Sequence, residues 1–185
     1  MDKKPNRQII IGVSVIVGIC LICCIGIGIA ILNAPNLLQW SLEQRTLEVG
    51  SAAPDFELTA LDGKTVRLSQ FKGQPVLLSF GATWCPSCCA EAPLLQDIHE
   101  NHPELIVLLV NMEESPQVVQ EFASEVGITH PILLDRRGSV SNQYRIYAIP
   151  TSFFIDAEGI VQAIMIEEAT SKVLAEKLPL IGIVP

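Results

Sequence analysis

Six cysteines are unevenly spread over the 185 residues. Cys20, Cys23 and Cys24 sit in an uncharged run; the others are Cys85, Cys88 and Cys89. Trp84-Cys85-Pro86-Ser87-Cys88 has two thiols three residues apart. On a helix that is about one turn, close enough for a disulfide. Pro86 suits the first helical position, because its missing N–H would be unpaired there anyway. Cys85 then falls at the N-cap, where unpaired N–H groups and the positive end of the helix dipole stabilise a thiolate. A thiol so placed ionises below its ordinary value of about 8.5. The pattern predicts an exposed nucleophile, Cys85, that attacks a partner disulfide. Cys88 is then the less exposed thiol that resolves the mixed disulfide. A purely structural bridge is the other use of such a pair, but so short a loop constrains the unfolded chain little. Zinc needs more ligands, and no second C-x-x-C or paired His lies at suitable spacing.

These thiols need a strand before them and a helix after them. Residues 75–80 (PVLLSF) form a short apolar run, as a strand covered on both faces requires. A helix is predicted from Pro86 to about Asn101. Residues 105–110 (LIVLLV) read as a second buried strand. Residues 115–126 read as a helix, with Ser115 at the N-cap, Pro116 at the first position and Gly127 after the end. A short apolar piece follows at 132–134, and a further helix is expected over 137–144. Two hairpins are predicted. One joins 55–58 to 65–68 around Asp62-Gly63, and the other joins 152–155 to 160–166 around 157–159. A closing helix is expected over 170–178. Strands interleaved with helices make an α/β sandwich with both sheet faces covered.

Residues 9–32 contain no charged side chain. As a helix they span about 36 Å, enough for a hydrocarbon core of roughly 30 Å. Lys3, Lys4 and Arg7 precede this run, and only Arg45 follows within fifteen residues. The positive-inside rule places residues 1–8 in the cytoplasm and the rest outside. No small-x-small cleavage site follows, so an uncleaved signal-anchor is expected. Residues 33–50 read as a juxtamembrane linker and 51–185 as the folded domain. The net charge is −8. The first 32 residues hold three of the 12 basic and one of the 20 acidic side chains, so the remainder carries net −10. Such a surface argues against nucleic-acid binding, which needs basic side chains against phosphates.

WCPSC at 84–88, followed by Ala148-Ile149-Pro150-Thr151, is similar to the thioredoxin superfamily. The lead-in APDFELTALDGKTVRLSQFKGQPVLLSF, residues 53–80, narrows the likeness. Over about residues 50–175 the chain resembles the membrane-anchored TlpA/ResA-like thiol–disulfide oxidoreductases, which share this lead-in with the AhpC/TSA peroxiredoxins. The resemblance implies a thioredoxin-like fold with an N-terminal β-hairpin extension, preceded by a single transmembrane helix. It also implies that Pro150 is a cis-proline facing the C-x-x-C, that Ile149 offers its backbone to a bound partner strand, and that Trp84 shields the disulfide. Pro86 joins them as a substrate contact. Glu91 matches an acidic residue that such proteins often carry. Lying three residues after Cys88, it either exchanges a proton with that thiol or is a solvated surface side chain.

Two departures from the pattern matter. Cytoplasmic thioredoxins carry a buried Asp six residues before the first cysteine, where this chain has Ser79. Any proton acceptor must then be Glu91 or water. Cys89 stands where relatives usually carry a basic or polar residue, and is either a spectator or a third redox-active thiol. A thiol peroxidase would need P-x-x-x-[TS]-x-x-C. The required positions are Leu78 and Ala82 for Cys85, and Gly81 and Cys85 for Cys88, so neither fits. A Sco-like copper-binding chaperone would use Cys85 and Cys89 as C-x-x-x-C with a distal His, drawn from His99, His102 or His130.

The resulting expectation is a membrane-anchored, extracytoplasmic thiol–disulfide oxidoreductase with Cys85, Cys88 and Glu91 as its catalytic set. Its substrates are exported proteins with thiols or disulfides, in the manner of cytochrome c maturation. An integral-membrane thiol carrier supplies its electrons. Dithiol exchange itself requires no flavin, nicotinamide or metal.

Overall fold

A computed structural model describes residues 47–184. The expected membrane span, residues 9–32, lies outside them. Among the described residues no helix is long and apolar enough to cross a membrane.

A two-stranded antiparallel hairpin comes first, β1 (Glu57–Thr59) with β2 (Thr65–Arg67). Gly63, with φ of 86°, takes the left-handed turn that a side chain would resist. A five-stranded sheet follows, built from β3 (Val76–Gly81), β4 (Ile106–Met112), β5 (Ile132–Asp135), β6 (Thr151–Ile155) and β7 (Val161–Met165). The order is β5-β4-β3-β6-β7. The β3–β4 and β4–β5 pairs are parallel, and the β3–β6 and β6–β7 pairs are antiparallel. Every residue of β3 is buried, as a central strand between two covered faces must be. An isolated bridge between Ala60 and Leu133 sets the hairpin against β5.

Side chains alternate between the two faces of this sheet. Leu77, Val107, Phe154 and Met165 face one layer with Leu95 of α1 (Pro86–Asn101) and Leu174 of α4 (Ser171–Lys177). Leu78, Phe80, Leu108 and Phe153 face the other, where Phe56, Val66 and Tyr144 cover them. The helix α2 (Pro116–Val126) packs Val119 and Ala123 on Ile132 and Leu109. It begins at Ser115, whose hydroxyl accepts from the Val118 N–H, and stops at Gly127 in the left-handed region, as the sequence led us to expect.

Three boundaries differ from expectation. The helix foreseen over 137–144 shortens to α3 (Ser139–Gln143), because the chain turns left-handed at Gly138. There the buried Asp135 accepts from both the backbone and the hydroxyl of Ser141, each at 2.7 Å. Past α4, Pro179 sits in a separate 3-10 turn, Leu178–Ile181. At the other end, residues ahead of Ser51 already belong to the packed unit. Leu47 touches the core, and the Gly50 N–H donates to the Val161 carbonyl at 2.7 Å.

Candidate active site

The end of β3 aims the chain into the first turn of α1, and this turn creates the site. Cys85 is the N-cap residue, with Pro86 following in the first turn. Cys85 Sγ accepts the Cys88 N–H at 3.2 Å, so one of the unpaired donors at the helix start already points at the sulfur. Cys85 and Cys88 form a disulfide with their Cα atoms 5.2 Å apart. Opposite lies the Ile149–Pro150 peptide, which is cis. The Ile149 carbonyl oxygen stands 3.8 Å from Cys85 Sγ, joining segments 64 residues apart. Thr151, the first residue of β6, returns its hydroxyl to the Ala148 carbonyl at 2.8 Å and so ties down the turn.

In the disulfide form Cys85 and Cys88 are both buried residues, 5% and 8% exposed, with the Ile149 carbonyl near the first sulfur. The two roles therefore rest on position at the helix start rather than on accessibility. Trp84, the residue before the N-cap, is 69% exposed.

Glu91 is the third component. The solvated-surface alternative does not hold, since it is 2% exposed. Ser79 Oγ–H donates to its Oε1 at 3.2 Å, and the Ala169 N–H donates to its Oε2 at 2.8 Å. Burial pushes its pKa above the usual carboxylate value, and the nearby Glu168 adds to this, while the two hydrogen bonds pull the other way. The Ser79 hydroxyl, where cytoplasmic thioredoxins carry an Asp, thus serves the carboxyl from the neighbouring helix. Two residues along β3, a Cβ on Gly81 would lie 3.3 Å from Cys88 Sγ. Ser79 and Gly81 share a strand face, so Glu91 and Cys88 lie over successive positions on it.

Cys89 is half-buried, and its thiol donates to the Thr83 carbonyl at 3.2 Å. Burial, then the charges of Glu114 and Glu125, raise its pKa. That opposes thiolate formation, the reverse of what the cap offers Cys85. Sequence reasoning missed Glu114. Its carboxylate accepts from the Thr83 N–H at 2.7 Å, the Thr83 hydroxyl at 2.5 Å and the Asn111 amide at 2.7 Å. It thereby braces the loop before Trp84 against the end of β4. No local pattern signals this, because Thr83 and Glu114 are 31 residues apart.

The histidines lie elsewhere. His99 and His130 pack ring against ring, 5.8 Å between centroids. His99 is fourteen residues along α1 from Cys85, roughly 21 Å at helical rise. Among the described residues no group of three His, Cys, Asp or Glu could hold a metal ion. A Sco-like set of Cys85, Cys89 and a distal His is therefore not assembled.

Comparison with known proteins agrees with this geometry. The AhpC/TSA family model matches residues 49–164. The ResA thiol–disulfide oxidoreductase of Geobacillus kaustophilus is 39% identical over 125 residues, 66% of this chain and 72% of the relative. The chain belongs to the AhpC/TSA family and is a thioredoxin-like thiol–disulfide oxidoreductase. Among solved structures, StoA of Bacillus subtilis has a TM-score of 0.60 at 32% identity, covering 68% of this chain and 98% of StoA. A secreted thiol–disulfide isomerase from Corynebacterium glutamicum has a TM-score of 0.63 at 31% identity, covering 69% and 84%. As a member of this family the chain keeps the dithiol at the helix start and lacks the peroxidase spacing around either cysteine.

Proposed function

We propose that this oxidoreductase is a membrane-anchored reductase acting outside the cytoplasm, with residues 9–32 as its anchor, 33–46 as linker and the packed unit from Leu47 onward as the catalytic domain. The uncharged run, the basic residues before it and the likeness to a secreted isomerase support that placement. In the reduced state Cys85 is the thiolate. It attacks one sulfur of a substrate disulfide, forming a mixed disulfide and releasing the other sulfur as a thiolate. Cys88 then attacks Cys85 Sγ, the second substrate sulfur departs, and the enzyme disulfide closes. Cys88 must lose a proton to attack, and Glu91 takes it. When an integral-membrane thiol carrier reduces the enzyme again, Glu91 returns the proton to Cys88 as it leaves.

Cys85 at the N-cap, bonded to the Cys88 N–H, is the observation that carries this reading. The exposed Trp84 and Pro86, together with the backbone of Ile149 and Pro150, offer the substrate chain a contact surface around the sulfur. The substrates we propose are exported proteins, including apocytochrome c with its haem-attachment thiols. Glu91 gains its role from its place one helical turn after the resolving cysteine and from burial, which raises its pKa above the usual carboxylate value. A trap tests the scheme. Cys88→Ser in cells stops resolution and should hold partners on Cys85 as mixed disulfides identifiable by mass spectrometry. Adducts running only through Cys89 would overturn the assignment.

A further inference from the structure

A buried amide oxygen is almost always paired, so an unpaired one calls for an explanation. Asn111, near the end of β4, is 3% exposed, and its Oδ1 has no hydrogen-bond partner. Its Nδ2 donates to Glu114 Oε2 at 2.7 Å. An ionised carboxylate only accepts, so the nitrogen lies on the Glu114 side and Oδ1 on the other side of the amide. In the parallel β3–β4 pair Asn111 is the register partner of Gly81. Such partners, about 4.8 Å apart, present the same face of the sheet. On that face a Cβ at Gly81 would lie 3.3 Å from Cys88 Sγ and 3.7 Å from Cδ1 of Leu109, the residue two before Asn111. Asn111 and the resolving sulfur thus stand over adjacent strands at one level of the sheet. Other donors at the start of α1 are committed. The Cys88 N–H goes to Cys85 Sγ, the Cys89 N–H to the Cys85 carbonyl and the Cys89 thiol to the Thr83 carbonyl. In the disulfide form Cys88 Sγ carries no hydrogen, and on reduction it gains one.

We propose that Asn111 is a positioning residue for Cys88: its Oδ1, unpartnered in the disulfide form, accepts the S–H of Cys88 once the disulfide is reduced. Reduction by a dithiol carrier breaks the S–S bond with two electrons, and the two carrier thiols become a disulfide. One of their protons goes to Cys88 and the other to solvent, while Cys85 stays a thiolate. A carbonyl oxygen beside a sulfur favours the thiol, and N–H groups favour the thiolate. Asn111 therefore keeps Cys88 neutral while Cys85, at the helix start, carries the charge. The amide is held firmly, since the Glu114 carboxylate that takes its Nδ2 also takes the N–H and hydroxyl of Thr83, two residues before Cys85. The Nδ2–Glu114 bond is common to both redox states and cancels from the potential. The Oδ1 bond belongs to the reduced state alone, so it stabilises that state. This role rests on the Cys85–Cys88 dithiol exchange and is independent of Glu91 as the proton partner.

The test uses the full-length chain in mild detergent, with Asn111→Leu, which keeps the volume without the acceptor, and Asn111→Ala, which only truncates. A phosphine reduces the disulfide without bringing a thiol of its own, and infrared difference spectra compare the reduced and disulfide forms. One S–H stretch that appears on reduction of the parent should lie at the lowered frequency of a hydrogen-bonded thiol. Either variant should return it to the free-thiol frequency. In glutathione buffers each variant should favour the disulfide about fivefold more than the parent, a potential lower by about 20 mV at about 30 mV per tenfold. Urea unfolding should show a larger loss of stability in the reduced form than in the disulfide form. Free-thiol bands alone in the parent overturn the proposal before any variant is made. So does a lowered band that the variants leave in place, an unmoved potential, or equal losses of stability in the two forms, which an amide serving packing alone would give. No new S–H band at all refutes the dithiol reading itself, whereas bands at the free-thiol frequency refute only the role of Asn111.

Discussion

The Cβ that Gly81 lacks would lie 3.3 Å from both Cβ and Sγ of Cys88. A side chain at the last residue of β3 would therefore crowd the resolving cysteine, which would have to give by a few tenths of an ångström. Gly81→Ala should push against the first turn of α1 and destabilise the fold by about 1–3 kcal/mol, the usual cost of overpacking. Urea unfolding of the disulfide form measures it. A variant as stable as the parent would mean that the helix start yields freely.

Glu91 sets a pH dependence of stability. Burial raises its pKa in the folded state, so the folded protein holds more protons than the unfolded chain between the ordinary carboxylate value of about 4.3 and the raised one. Stability contributed by the protonated carboxyl is full below that window and is lost as pH rises through it. Glu91→Gln should abolish this slope and be the more stable protein above the window. The same variant should slow disulfide reduction, toward the low end of the roughly 10²–10⁴-fold range for a lost acid–base group. Chemical denaturation at a series of pH values checks the slope. A slope that persists in the variant belongs to another group.

His130 acts in the opposite sense. Burial, aided by the neighbouring His99, holds its pKa down to about 4. The unfolded chain therefore takes up a proton that the folded one refuses. The neutral ring's stabilisation is whole above about pH 6.5 and fades as pH falls toward 4, by up to about 3 kcal/mol. His130→Phe keeps a ring in the site and should flatten this acid limb. Thermal unfolding between pH 7 and pH 4 reads the difference.

Glu114 braces Thr83 and Asn111. Glu114→Ala leaves their donors without this acceptor and should lower stability by about 1–3 kcal/mol. It also removes a negative charge that raises the Cys89 pKa. Cys89 should then be alkylated faster at a given pH, with Cys85 and Cys88 locked in their disulfide. Peptide mapping after iodoacetamide separates Cys89 from the cysteines at 20, 23 and 24.

Much of the molecule was legible without coordinates. The hairpin, the covered strands, and the caps at Ser115 and Gly127 follow from short-range rules of turn chemistry and apolar spacing. So does the seat of Cys85: a thiol before a proline at a helix start meets unpaired amides wherever that helix packs. Contacts between distant segments were not legible. Whether Glu91 faces water or the interior depends on Ser79, twelve residues earlier, and Ala169, seventy-eight later. Register alone sets Asn111 beside Gly81, and sheet order alone brings the Ile149 carbonyl over Cys85. Turns and caps are local interactions that adjacent residues carry with them. Burial and the pKa changes it causes belong to the packed whole, because water is excluded from a site only when several elements close over it together.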